Sequence, residues 1–588
     1  MIKTFKYMRR QDWVLAFFAS LLTVLRVYFE LKIPEFMKRV TELIMTDGST
    51  LRDIWTTGGW MLLTAVGNLA VMIVVSVMSA RVGACFATRL RILQFERVSS
   101  FSMEEINRFS TASLITRSTN DVSQIQIYTA MLIRIMIPAP ITAIWAITKI
   151  TSQGQIQWSI AMSIAVAFLL VIIFVIFKYA MPRFRRIQTL TDNINRITRE
   201  HLLGIRVVKA YNAEPYQEAK FEEANEALTH NNLTAHRIMM IQGPSMGLVM
   251  NGLSIAIYWI GAALIEAAGA REKILLFSSM VVFMNYAMQI VMSFMRMTML
   301  FSMAPRVAVS ANRIREVIET EPAIRDGLVE EVPVSTTAAA IEFRNVCLRY
   351  PDGANYVLKD ISFHADKGET IAFIGATGSG KSTLLNLIPR FYEATEGEVL
   401  INGVNVKEYK QHALRRKFGY VPQTAFLFSG TLEDNIDYGD RNGGEKSTVT
   451  LDDAASVAQI KDFIETLPEG YGAPVARGGT NYSGGQKQRL SIARAVHRQP
   501  EIYLFDDAFS ALDYRTDRAL RRTLKSKMEG ATTVIVAQRI GTIRDADKIL
   551  VLDEGTIGGT GTHAELMANC RVYQEIALSQ LSMEELVS

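Results

Sequence analysis

The stretch GATGSGKST, from Gly375 to Thr383, fits the pattern G-x-x-x-x-G-K-[ST]; the apolar run TIAFI precedes it and the helix-forming LLNLIPRF follows. In that strand–loop–helix setting the pattern is a P-loop. Gly375, Gly378 and Gly380 let the backbone curl, so that N–H groups along the loop, from Thr377 through Ser379 to Thr383, point at phosphate oxygens. The N-terminus of the following helix adds its partial positive charge. Lys381 is expected to reach the β- and γ-phosphates and Ser382 to ligate Mg2+, so ATP and Mg2+ are the expected cofactors. A second stretch, EIYLFDDAFSALD from Glu501 to Asp513, ends an apolar strand in two aspartates. Asp506 stands where P-loop enzymes keep the acid that holds the magnesium shell. Its structural alternative is the N-cap of the next helix. Asp507 raises a separate question: what a second carboxylate beside the first is for.

The elements that must position these residues change character along the chain. From about 341 onward, short β-rich runs (IAFIG, GYVPQ, IYLFDD, TTVIVAQ) alternate with helical stretches, which predicts an α/β domain over 341–588 with a mainly parallel sheet. Residues 321–340 have prolines, acids and small residues without apolar periodicity, and read as a linker. Residues 1–320 form an all-α domain of six apolar spans, roughly 13–34, 57–80, 126–150, 157–180, 239–268 and 274–304. Each is near the about 20 residues that cross a bilayer. In the first span Arg26 and Glu30 are four apart and can pair on one helical face.

Tight turns are expected at 151–157 and 266–273, and long polar helical segments at about 81–125 and 181–238. The long pair is basic beside the membrane, which places it in the cytosol with the N-terminus. The apolar run after the basic start MIKTFKYMRR continues through Arg26 without a small-residue cleavage site, so it reads as a retained membrane helix. Six spans return the chain to the cytosol, where the α/β domain is expected. Of the 588 residues 49% are hydrophobic and 21% charged, with a net charge of +5 in interleaved signs. That balance suits a multi-pass protein beside anionic lipid and argues against a nucleic-acid partner. Cys85, Cys347 and Cys570 are too far apart to form a paired framework.

The stretch NYSGGQKQRLSIARA (481–495), between the P-loop and LFDD, resembles the signature of ABC-transporter ATPases in its Ser-Gly-Gly-Gln core. The likeness covers essentially the whole chain: six membrane helices ahead of one ATPase domain resemble an ABC exporter half-transporter. It implies that Tyr350 stacks on adenine, that Gln423 contacts Mg2+ and senses the membrane domain, and that Asp507 and Gln538 hold the two catalytic positions. It also implies that Ser483, Gly484, Gly485 and Gln486 close on an ATP held by a second subunit, and that SALD (510–513) links the two sites. The stretches 107–117 and 210–221 are expected to dock on ATPase domains, with plain helical turns as the alternative.

This sequence departs from the family pattern twice. Asp507 replaces the usual Glu that polarises water, and Gln538 replaces the usual His. A carboxylate about 1 Å out of place can cost about 100-fold in rate, and an amide cannot carry the charge of an imidazole. The resemblance therefore implies a site that binds ATP and hydrolyses it slowly, in a heterodimer whose other half-transporter carries the usual Glu and His. A slow homodimer is the alternative. Tyr482 replaces the usual Leu at the first signature position, while the core of the signature is intact.

The expected activity is ATP-driven export of amphipathic compounds, of multidrug type, across a bacterial plasma membrane. A peptide or lipid exporter and a nucleotide-gated regulatory subunit are the alternatives. In the last span Met280, Met284, Met288, Met292, Met295, Met299 and Met303 keep to an arc of about 140°. They either pack against neighbours or line a pathway for apolar ligands. Arg134 and Arg296 lie inside apolar runs, and Pro138 and Pro140 suggest a kink in the third span.

Overall fold

A computed structural model describes residues 2–46, 48–152, 156–330, 338–351, 353–439, 448–527 and 530–580. The chain forms two compact units, one of Met1–Ser99 with Ala112–Thr320 and one of Ser100–Thr111 with Glu321–Ser588.

In the first unit, among the described residues, six helical rods are long and apolar enough to cross a membrane: Arg10–Met45, Leu51–Ser99, Thr111–Thr151, Ile156–Leu203, Glu214–Ala267 and Glu272–Glu319. Four of them run to 48 residues or more, about 70 Å of helix against about 30 Å of hydrocarbon. The polar segments expected between the spans are therefore mostly continuations of the same helices. Arg26 and Glu30 do pair, at 3.6 Å. The turn expected at 266–273 shrinks to Ala268 and Gly269 between helices. The centre of the other expected turn, 153–155, lies outside the described residues.

The third rod departs from a plain α-helix. Two π-turns interrupt it, at Arg117–Asp121 and at Leu132–Met136. The second has a local cause: Pro138 has no N–H to continue an i→i−4 ladder. The amide of Ile137 reaches back to Leu132 O at 3.0 Å, and an α-helix restarts at Pro138. The two prolines are thus accommodated by one widened turn at the start of a new helix.

Packing in this unit relies on close approach at a few points. Gly83 is buried where the second rod crosses the third, and a Cβ added to it would stand 2.7 Å from Gln126 O and 3.5 Å from Ala130 Cβ. Tyr286 donates to Leu31 O at 3.0 Å, and Trp158 Nε1 to Ile257 O at 3.2 Å, so the buried polar edges of these aromatics are satisfied.

The short helices between the rods are not where the sequence reading drew them. One spans Met103–Phe109, opened by a capping box of Ser102 and Glu105 and closed at Ser110, whose φ is +58°. The stretch 107–117 therefore straddles its end. The other spans Ile205–Ala210. The stretch 210–221 begins with its last residue and continues into the helix that Pro215 opens at Glu214.

The second unit holds twelve described strands. They are β1 (Ile341–Leu348), β2 (Leu358–Ala365), β3 (Thr370–Gly375), β4 (Glu396–Ile401), β5 (Val404–Asn405) and β6 (Phe418–Val421), followed by β7 (Gly430–Thr431), β8 (Pro474–Val475), β9 (Ile502–Asp506), β10 (Thr532–Val536), β11 (Lys548–Asp553) and β12 (Thr556–Gly561). The main sheet runs β12-β11-β3-β10-β9-β6, and a four-stranded sheet runs β2-β1-β4-β5. All pairings of the main sheet are parallel except β11 with β12.

Both faces of the main sheet are buried, which is why its strands read as continuous apolar runs. Ile371, Phe373, Leu504 and Val534 pack with Phe343 and Phe363 of the smaller sheet. Ala372, Ile374, Phe505 and Ile535 face the helical side with Leu490 and Ile492. The expected linker is partly structured: Val329 N donates to Glu408 O and Lys410 N to Val329 O, each at 2.9 Å. Its residues 331–337 lie outside the described residues. The Met103–Phe109 helix belongs to this unit, where Asn107 Nδ2 donates to Tyr392 O–H at 3.0 Å and Ala323 N to Glu105 Oε1 at 2.8 Å.

Replacing Gly83 by Leu is expected to destabilise the detergent-solubilised chain by about 2 kcal/mol through overpacking. Gly59→Leu, where a Cβ meets nothing within 4 Å, is expected to leave the melting temperature unchanged. Thermal melts of the two variants make the comparison.

Candidate nucleotide site

The parallel strands β3, β9 and β10 end at one edge of the sheet, and the expected site residues gather there. β3 runs into the P-loop, where Gly378 (φ +87°) and Gly380 (φ +100°) take a conformation that side chains rarely adopt. Gly380 caps the Lys381–Leu387 helix, and a Cβ on it would meet Leu358 Cδ2 at 2.8 Å. Lys381 is nearly buried and turns onto its own loop, donating to Gly375 O and Ala376 O at 2.8 Å each. Burial pushes its ammonium below the usual lysine range, against the pull of Asp507 and Asp506.

Ser382 donates to Asp506 Oδ1 at 2.8 Å. Burial, assisted by the neighbouring Asp507, raises the Asp506 carboxyl above the usual range, and the Ser382 bond opposes this. Asp507 has φ +47° and its N–H donates to Val536 O at 2.9 Å, so its carboxylate leaves the strand end at a fixed angle. Gln423 Nε2 at 3.3 Å and Gln538 Nε2 at 3.2 Å both donate to Asp507 Oδ2. Residues 84 and 31 positions away in sequence thus meet on one oxygen. Burial also raises the Asp507 carboxyl, opposed by hydrogen bonding from Ser510 and Gln423.

Tyr350 places its hydroxyl 3.1 Å from Thr383 Oγ1, with its ring edge-on to Tyr392 at 5.1 Å. The signature residues form a different local structure. Ser483 caps the Gly484–His497 helix: its Oγ accepts from Gln486 N at 3.3 Å while its own N–H donates to Gln486 Oε1 at 2.8 Å. Gln486, expected among the nucleotide-binding residues, here commits its side-chain oxygen to the cap. Ser483 and Gly484 are exposed. Among the described residues, no hydrogen bond joins Ser483–Gln486 to the P-loop. Tyr482 is buried in the core, edge-on to Phe463 and donating to Pro474 O at 3.2 Å, so the departure from Leu is absorbed by packing.

Two further residues hold the site together and escaped the sequence reading. Gln488, buried on the signature helix, donates to Pro422 O at 3.0 Å, next to Gln423. Arg539 donates to Ser510 O at 3.2 Å and lies close enough to Asp507 to favour its ionised form. The signal for Gln488 was a polar residue on the apolar face of an amphipathic helix. Nothing local marked Arg539.

The residues present fit a magnesium nucleotide. Ser382 and Asp506 offer the hard oxygen ligands that Mg2+ takes. The P-loop offers a lysine and a helix N-terminus for phosphate.

Residues 358–510 match the family model described as ABC transporter, and residues 16–294 match that of the ABC transporter transmembrane region. The chain is 39% identical over 554 residues to an uncharacterised ABC transporter ATP-binding protein of Mycobacterium tuberculosis (strain ATCC 25618 / H37Rv), covering 93% of each chain. The chain belongs to the ABC transporter family.

Its fused order of membrane region and ATPase domain makes it a multi-pass, exporter-type half-transporter. It is 35% identical to the uncharacterised YfiB of Bacillus subtilis (strain 168), covering 97% of each chain. It is 31% identical to an ATP-dependent lipid A-core flippase of Pseudomonas aeruginosa, covering 84% of this chain and 80% of the flippase. Among solved structures, a bacterial Atm1-family ABC exporter with ATP bound superimposes with a TM-score of 0.78 at 25% identity, covering 96% of this chain and 98% of the other.

Tyr482→Leu is expected to cost the ATPase domain about 1 kcal/mol, since packing is largely kept and one hydrogen bond is lost. Tyr482→Ala should cost about 3–4 kcal/mol. Denaturation of the full chain, followed by the loss of ATPase-domain signal, separates the two.

Proposed function

We propose that this half-transporter exports amphipathic compounds with its ATPase domain in the cytosol, and that its own P-loop site binds ATP and hydrolyses it only slowly. The observation that carries this reading is the setting of Asp507. Its carboxylate is one methylene shorter than a glutamate and accepts hydrogen bonds from two neutral amides, Gln423 and Gln538. Neither amide can accept a proton or become an imidazolium. The site therefore has no group matched to the family's usual handling of the attacking water.

The residues divide the work of holding. Lys381 exchanges its two loop carbonyls for phosphate oxygens, the loop amides orient the triphosphate, and Ser382 with Asp506 supplies oxygens to magnesium. Magnesium held there would offset the negative charge of the phosphates. Tyr350, beside Thr383, offers an aromatic face to the base. The exposed Ser483, whose hydroxyl accepts from its own helix, keeps its proton to donate outward, to a nucleotide held by another chain. We infer from this that the partner is a second half-transporter with the usual Glu and His, and that the signature here completes its faster site.

On the sixth rod Met288, Met295 and Met299 are exposed at 47%, 37% and 56%. Flexible, polarizable side chains on one face suit apolar cargo of varied shape. The likeness to a lipid A-core flippase supports a second reading, in which the cargo is a lipid rather than a range of drug-like molecules.

Full-length chain purified alone should bind MgATP with negligible turnover, and Asp507→Glu with Gln538→His should raise turnover about 10- to 100-fold. Turnover of about 1–10 per second by the unsubstituted chain, near the enzyme median, would overturn the holding reading. In membrane vesicles, replacing Met288, Met292 and Met295 together by Leu is expected to reduce transport of several unrelated dyes. Unchanged transport of all of them would remove the methionine face from the pathway.

A further inference from the structure

The loop that carries Gln538 is held from an unexpected direction, the C-terminal end of the chain. Gln580 lies just past the Arg571–Leu578 helix, and its side-chain amide bonds the loop twice. Nε2 donates to Gln538 O at 2.7 Å, and Oε1 accepts from Ile540 N at 2.9 Å. One side-chain amide thus satisfies a carbonyl and an N–H two residues apart, as a neighbouring strand would. The N–H so paired is the first of the Ile540–Ile543 helix, a donor that the helix itself leaves without a partner.

Gln580 is presented from a firm base. Tyr573 and Ala577 of its helix are fully buried in the same core as Ile540 and Ile543, and Tyr573 O–H meets His563 Nδ1 at 2.8 Å. The backbone turns off the helix through Gln580 N donating to Ala577 O at 3.1 Å. A continuous series then runs from the C-terminal helix through Gln580 to the backbone of Gln538. From there the Gln538 side chain reaches the Asp507 carboxylate.

We propose that Gln580 is a positioning residue for the nucleotide site: it clamps the backbone at 538–540 so that the Gln538 amide stays on Asp507. Without the clamp the 538–540 loop opens more often, and the site releases its nucleotide sooner. The C-terminal segment is by this account part of the machinery that sets nucleotide residence. The existence of the clamp is independent of the holding function. Its effect on residence rests on that reading.

The test uses the full-length chain in detergent with Gln580→Ala and Gln580→Glu. In hydrogen–deuterium exchange without nucleotide, amides of 538–543 in Gln580→Ala should exchange about five- to tenfold faster, the effect of losing one or two neutral hydrogen bonds. Those of β10 should be unchanged. Gln580→Glu keeps the acceptor for Ile540 but sets a carboxylate against Gln538 O, and should fall at or beyond Gln580→Ala. With radiolabelled ATP and Mg2+, a chase with unlabelled ATP should show residence shortened about threefold or more in Gln580→Ala, at an unchanged melting temperature.

Unchanged exchange at 538–543 would overturn the clamp. Faster exchange with unaltered ATP residence would reduce Gln580 to a tether of the C-terminal helix and overturn its positioning role. If the unsubstituted chain retained no ATP, the holding function would fail, and the exchange comparison alone would decide the clamp.

Discussion

The nucleotide site depends on the parallel register of three strands. Val536 of β10 lies opposite Phe373 of β3 on one side and Asp506 of β9 on the other. That register brings the start of the P-loop, the paired aspartates and the turn before Gln538 to a single edge. Side chains alternate along a strand, so a slip of one residue in β9 would move Asp506 to the opposite face. The Ser382–Asp506 hydrogen bond joins the first turn of the P-loop helix to the end of β9 and forms only in this register. The apolar residues on both faces of the sheet hold the register in place.

Within that frame the site concentrates groups that water would otherwise solvate. Lys381, Asp506 and Asp507 are each less than a tenth exposed. Burying two carboxylates side by side is unfavourable, and one ammonium and three neutral donors (Ser382, Gln423, Gln538) are set against that cost. All three neutral donors act on the acids without changing charge. The balance thus fits a ligand that brings both negative phosphates and a divalent cation. The same arrangement accommodates Asp507 and Gln538 side by side without disturbing the fold.

The parts of the protein that depend on neighbours in sequence were legible from the sequence. The P-loop, the strand ending in Asp506 and the apolar spans were all of this kind. Ser483 and Gln486 also form a local pattern, S-x-x-Q, the signature of a capping box. Its structural meaning was overshadowed by the nucleotide contact that the resemblance implied. What stayed hidden depends on distant meetings. The convergence of Gln423 and Gln538 on one oxygen, the grip of Gln488 on Pro422 and the pairing of Val329 with the strand-edge region at Glu408 join residues far apart in the chain. The short helix near 103 differs from the expected stretch because its limits are set by Ser102 and Ser110, and the stretch 210–221 is divided because Pro215 opens a new helix within it, neither of which hydrophobic periodicity marks.

The π-turns of the third rod have a consequence for how this span can be compared between proteins. Each wide turn takes up one more residue than an α-turn, and an added residue rotates everything beyond it by about 100°. The Ile133 side of the rod and the Ala143 side therefore do not share one continuous wheel, although both are buried. A relative that lacked one residue between 132 and 136 could keep every side chain type of the later segment and still present a different face to its neighbours. Such a deletion would act as a rotation of half a helix with no change in its composition.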